Sequence, residues 1–153
     1  MSITRRASLI LPLAAASCAS PPPPPPSVTL SIQGGADQNP DPTGRPSPVA
    51  LSVFYLTQTA KFERADVFAL TERERDTLGQ DSTGSEQFVI APGESRSVTR
   101  ELRQGVQAIG VVALFRDVDS GAQWRAVRSI APSGSTSLTI RLARNAVTLA
   151  AAG

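Results

Sequence analysis

Ile109-Gly110-Val111-Val112-Ala113-Leu114-Phe115 is almost continuously apolar and rich in branched side chains. Seven residues are too few for a buried helix, and this composition suits a strand with both faces covered. The run therefore predicts the central strand of a layered β fold. On its C-terminal side Asp117 to Gly121 reads as a turn, and Trp124 to Ile130 as the strand returning from it. On its N-terminal side Gln87 to Ile90 and Ser97 to Leu102 flank a turn at Pro92-Gly93.

The same reading extends to both ends of the chain. Val28, Leu30 and Ile32 alternate with Thr29, Ser31 and Gln33, the period-two pattern of a half-buried strand. Val49, Leu51, Val53 and Tyr55 form a second. Leu138, Ile140 and Leu142 form another, and Asn145 turns the chain into Val147 to Ala150. About eight short strands separated by turn residues predict an all-β fold, a two-sheet sandwich. One segment breaks the pattern. Phe62, Ala65, Phe68 and Ala69 recur at helical spacing, Thr71 and Glu74 have the spacing of a capping box, and Gly79 is a stop after Leu78. One or two short helices are thus expected after the second strand, capping an open end of the sandwich.

The chain's 153 residues suffice for one domain. Residues 1–17 read as an export signal: Arg5 and Arg6, an apolar segment from Ala7 to Ala16, then Ser17. The apolar segment is shorter than the roughly 20 residues that span a bilayer. Ala15-Ala16-Ser17-Cys18 matches the lipobox pattern, which makes Cys18 the expected lipidation site and new N-terminus. The alternative is an ordinary signal with an incidental cysteine. Ala19 after the cysteine, in place of Asp, favours the outer membrane by the usual sorting rule. Pro21 to Pro26 then predict a polyproline II spacer of roughly 19 Å, so residues 18–27 read as a lipidated linker and 28–153 as the sandwich domain.

Charge and residue content exclude several functions. Without Arg5 and Arg6, 13 of the 15 basic residues remain, against 13 acidic ones. A neutral mature chain does not suit nucleic acid, whose binding is driven by positive charge. There is no His, so the commonest general base and zinc ligand are missing, and a Ser-His-Asp triad cannot be built. Asp117-x-Asp119 lacks the Glu that closes an EF-hand loop, and a hairpin turn explains it better. No metal, cofactor, small-molecule substrate or enzymatic activity is expected.

Residues Gly34 to Pro48 form a long loop with four prolines, which forbid regular structure and stiffen the chain. A stiff loop loses less entropy on docking, and Arg45 is able to grip a partner carboxylate. Asn39 and Asp41 also build turns readily, and the sequence does not choose between the two roles.

The order of these pieces resembles a known family. The lipobox cysteine is followed by a strand, Asn39-x-Asp41, Gly44-x-Pro46-x-Pro48 and the strand Val49 to Leu56. Phe62, Ala65-Asp66, Phe68, Leu70 and Leu78-Gly79 come next, then Ala91-Pro92-Gly93, Gly110 to Arg116, and Trp124-Arg125. Together they resemble the type VI secretion lipoproteins TssJ, SciN and VasD across essentially the whole mature chain. The resemblance implies a non-enzymatic outer-membrane lipoprotein with a transthyretin-like sandwich and a helical insertion. It implies binding to the periplasmic C-terminal region of the inner-membrane protein TssM, and through it association with TssL. The loop after the first strand would make the contact, so Asn39, Asp41, Gly44, Arg45 and Pro46 are the expected partner-binding residues. The competing reading is a periplasmic lipoprotein that carries a small ligand or serves another envelope complex.

Overall fold

The apolar run is a central strand, β5 (Ala108–Leu114), six of whose seven residues are buried. A computed structural model describes residues 16–153, and the export signal expected over 1–17 lies outside the described residues up to residue 15. β5 pairs antiparallel with β2 (Val49–Leu56) and β6 (Arg125–Ser129), and β3 (Ser82–Ile90) completes a sheet of order β3-β2-β5-β6. The second sheet has the order β4-β1-β7-β8. It contains β1 (Pro26–Gly34), β4 (Ser95–Glu101), β7 (Gly134–Leu142) and β8 (Val147–Ala151). β1 and β7 run parallel, while the other pairs are antiparallel. The expected two-sheet sandwich of eight strands is the observed architecture.

Alternation decides which side chains meet. Val28, Leu30 and Ile32 of β1 and Leu138, Ile140 and Leu142 of β7 face inward from one sheet. Val49, Leu51 and Val53 of β2 and Ile109, Val111 and Ala113 of β5 face them from the other. The intervening residues of β2 and β5, including Phe54, Leu56, Ala108 and Val112, point to the opposite face and need a second cover.

Three short helices supply it: α1 (Ala60–Arg64), α2 (Val67–Glu72) and α3 (Glu74–Leu78), followed by a 3-10 turn at Gly79–Asp81. Phe62, Val67, Leu70 and Leu78 pack on that face. The Phe62 and Phe54 ring centroids are 5.4 Å apart. Gly110 makes the approach possible, because a Cβ there would lie 2.7 Å from the Phe62 ring. The helices thus cover the outer face of a sheet, where they were expected to cap an open end. The physical reason is that β5 is apolar on both faces, so its second face must be buried as well.

The capping box is also corrected. Thr71 lies inside α2, where its hydroxyl donates to the Val67 carbonyl, and Asp66 caps α2 by accepting from the Ala69 amide at 2.8 Å. Gly79 ends α3 as expected, with φ 55°.

The turn at Pro92-Gly93 joins strands of different sheets. β3 and β4 are edge strands of the two sheets, and polar side chains link them. The Tyr55 hydroxyl donates to Glu86 at 2.6 Å, and Arg100 Nε donates to the same carboxylate at 2.9 Å. Burial and the Glu86 charge push the Tyr55 hydroxyl well above its usual range. Burial pushes Glu86 upward too, but the hydrogen bonds from Tyr55 and Arg100 outweigh it and leave its carboxyl below the usual value.

Candidate partner-binding site

The loop between β1 and β2 has a pinned stem and an exposed tip. Gln38 is fully buried, and its amide donates to the carbonyls of Ile90 at 2.7 Å and Ser47 at 3.3 Å. Asn39 ties together four segments. Its backbone amide donates to the Arg144 carbonyl at 2.8 Å, and its side-chain amide donates to Pro48 at 2.8 Å. Its side-chain oxygen accepts from the Arg116 amide at 2.7 Å, and its own carbonyl accepts from the Ser47 hydroxyl. Asn39 has φ 45°, a left-handed conformation that Asn tolerates better than most residues.

The tip is organised by Asp41. One carboxylate oxygen accepts from the Thr43 amide at 2.9 Å, the Thr43 hydroxyl at 2.7 Å and the Arg45 amide at 3.0 Å. The other accepts from Arg45 Nε at 3.2 Å. The Thr43 hydroxyl, followed by the Arg45 amide, holds the Asp41 carboxyl below the usual carboxylate range. Gly44, at φ 84°, completes the turn, and its amide donates to the Asp41 carbonyl at 2.9 Å. The Arg45 side chain is 80% exposed, and Thr43, Gly44 and Pro46 are exposed beside it.

The five expected contact residues thus separate into two kinds. Gly44, Arg45 and Pro46 are presented to solvent, and Asp41 shapes their turn. Asn39 is only 5% exposed, and its side chain is occupied in holding the stem. The sequence did not point to Gln38, Ser47 or Arg144, whose parts depend on contacts distant in the chain. Arg116 stands at the end of the central strand, but only the fold shows its amide engaged by Asn39.

A cleft of about 390 Å³ opens between the tip and two neighbouring segments, Phe115 to Asp117 and Arg144 to Asn145. Phe115 is 4% exposed. The Arg116 guanidinium reaches Ser47 Oγ at 3.3 Å.

Cys18 lies at the other end of the domain. Residues 16–25 are exposed and outside regular structure, and Cys18 is exposed with a free thiol. Gln104 holds the spacer through the Pro23 carbonyl at 3.1 Å, and Leu102 donates to the Pro26 carbonyl at 2.8 Å. From there β1 runs nine residues to the loop, about 30 Å at ~3.3 Å each. Among the described residues no helix is long and apolar enough to cross a membrane.

The family model described as type VI secretion lipoprotein, VasD, EvfM, TssJ matches residues 26–145. The chain belongs to the type VI secretion lipoprotein family. It is similar to the type VI secretion lipoprotein TssJ1 of Pseudomonas aeruginosa, with 33% identity, a TM-score of 0.81 and coverage of 85% of this chain and 98% of that one. It also resembles a chain in a structure described as a type VI membrane complex, at 25% identity and TM-score 0.70, covering 80% and 96% of the two chains. A third similar fold occurs in a structure described as the TssM C-terminal domain from EAEC, at 24% identity and TM-score 0.69, covering 82% and 98%. No curated protein matches the chain. The transthyretin-like sandwich implied by the resemblance agrees with these structures.

Proposed function

We propose that this type VI secretion lipoprotein is acylated at Cys18, sits on the periplasmic face of the outer membrane and anchors the secretion membrane complex there. It does so by binding the periplasmic C-terminal region of a TssM-like inner-membrane protein, and through it TssL. The observation that carries this reading is the polarity of the domain. The lipid-bearing end and the stiff, exposed loop stand at opposite ends of β1, so a membrane-held domain offers the loop to a partner reaching across the periplasm. Processing after Ser17 leaves residues 18–25 as a lipidated linker, two residues shorter than the 18–27 expected because Pro26 and Ser27 are paired in β1, and the several acyl chains of a bacterial lipoprotein make attachment stable. The role is one of binding, without catalysis.

The test is a pull-down of the full chain in detergent against the periplasmic C-terminal region of the TssM-like protein of the same organism. A variant carrying Asp41→Ala, Arg45→Ala and Pro46→Ala is assayed alongside. Capture by the parent and loss in a variant of unchanged circular dichroism support the loop contact. Equal capture by both moves the interface elsewhere, and no capture by the parent overturns the proposed partner.

A further inference from the structure

The cleft beside the loop has a charge arrangement that its own fold does not satisfy. Asp41 is already engaged by Arg45 and Thr43. Among the described residues the Arg144 side chain makes no ion pair and no hydrogen bond. The Arg116 guanidinium donates to Ser47 Oγ and, among the described residues, pairs with no carboxylate. Asp117 lines the same cleft and pairs with neither arginine. Two arginines and an aspartate without an ion-pair partner therefore line one recess, with Pro40 and Pro42 on the loop side and Phe115 at its floor, 4% exposed.

The cleft is also held in shape before any ligand arrives. Asn39 joins the loop to the Arg116 amide and the Arg144 carbonyl, so one buried side chain and its backbone fix both arginine-bearing segments relative to the tip. A receptor fixed in this way avoids much of the ordering cost of binding. A planar guanidinium recognises a carboxylate through two parallel hydrogen bonds.

We propose that this cleft receives an acidic side chain of the protein partner, gripped by Arg144 and Arg116, while the loop tip packs on the surface around it. The inference rests on the loop being the partner contact and names the chemistry of the group recognised: a Glu or Asp on an exposed segment of the partner. Arg144 is the sharper probe, because its side chain is not used by the fold.

The experiment titrates the full chain in detergent with the TssM-like periplasmic region and reads affinity. Arg144→Glu is expected to weaken binding about tenfold or more, and Arg144→Lys to keep it within about threefold. Arg103→Glu, on an exposed turn at the anchor end, is expected to leave it unchanged. Raising the salt concentration is expected to weaken the parent more than Arg144→Glu. Parent and Arg144→Glu binding equally would overturn the cleft proposal and leave the loop contact standing.

A second arm separates the two readings. A triglutamate peptide titrated into the isotope-labelled chain is expected to shift the Asn39, Arg116 and Arg144 signals, with trilysine as the inert control. Absence of that shift overturns the cleft even where the TssM-like region fails to bind. Self-association of the chain that Arg144→Glu abolishes would make the occupant a second copy and likewise overturn the proposal.

Discussion

The helical insertion and the β1–β2 loop both interrupt the strands, and they are held by opposite kinds of force. Phe62, Val67, Leu70 and Leu78 anchor the helices by burying apolar surface against Phe54 and Val112. The loop stem contributes no large apolar side chain of its own. Gln38, Asn39 and Ser47 hold it through hydrogen bonds to backbone groups, and Asp41 shapes its tip in the same way. Apolar burial is strong and tolerant of angle, so it suits a cover that has only to exclude water. Hydrogen bonds are weaker in net terms and directional, so they suit a segment whose surface must stay polar and keep one shape. The insertion stabilises the sheet, and the loop presents a surface.

The comparison breaks most readily at Phe62. Phe62→Ala removes a fully buried ring that lies over Gly110, and is expected to cost about 3–5 kcal/mol of unfolding free energy by urea titration. Binding by the fraction that remains folded should be retained. A loss of less than about 1 kcal/mol would show that the helices are not the apolar cover described here.

Asn39→Ala probes the loop at its stem. It deletes the bonds to Pro48 and Arg116 and places Ala at a left-handed φ. A cost of about 2–4 kcal/mol follows from two orphaned partners and the conformational penalty. Amide exchange should quicken first at Arg116, whose N–H loses its acceptor. Stability unchanged from the parent would mean that Asn39 does not hold the stem.

Arg45→Ala should leave the unfolding free energy from urea titration within about 0.5 kcal/mol of the parent, because the side chain is exposed, while weakening capture of the TssM-like region. A matching loss of stability would erase the distinction between the two regions.

The smallest effect expected is that of pH on the tip. Asp41 titrates below its ordinary value of 3.8 in the folded chain. Its contribution is therefore fully present above that value and is lost as pH falls through the lower folded value. Between pH 5 and 8 the Thr43 and Arg45 amide signals should not move, and below about pH 4 they should shift while the helices stay intact. Movement near neutrality would indicate a different controlling group.

Much of the fold was legible locally. A strand announces itself by period two, and the continuous run at 109–115 announced burial on both faces before any partner strand was known. The loop was legible as a stiff irregular segment from its prolines. Its division into stem and tip was not, because Asn39 and Asp41 are equally good turn formers in sequence. Asn39 turned inward only because backbone groups of Pro48, Arg116 and Arg144 converge on it. The helices went to the outer face of a sheet because the second apolar face of β5 was waiting there, a consequence of its pattern that becomes visible once a sheet is built.

Local sequence alone dictates the strands, the central position of β5, the turn glycines at Gly79 and Gly93, and the irregular course of the proline-rich loop. These follow from periodicity and backbone sterics, which act over a few residues. Long-range packing is what pairs β1 parallel with β7, separates β3 and β4 into two sheets, and brings Arg116 and Arg144 to one cleft beside the loop. Alternation specifies which face of a strand is buried but not which strand lies next to it. That choice is made by closing long loops around a shared core, where all the inward faces must be satisfied together.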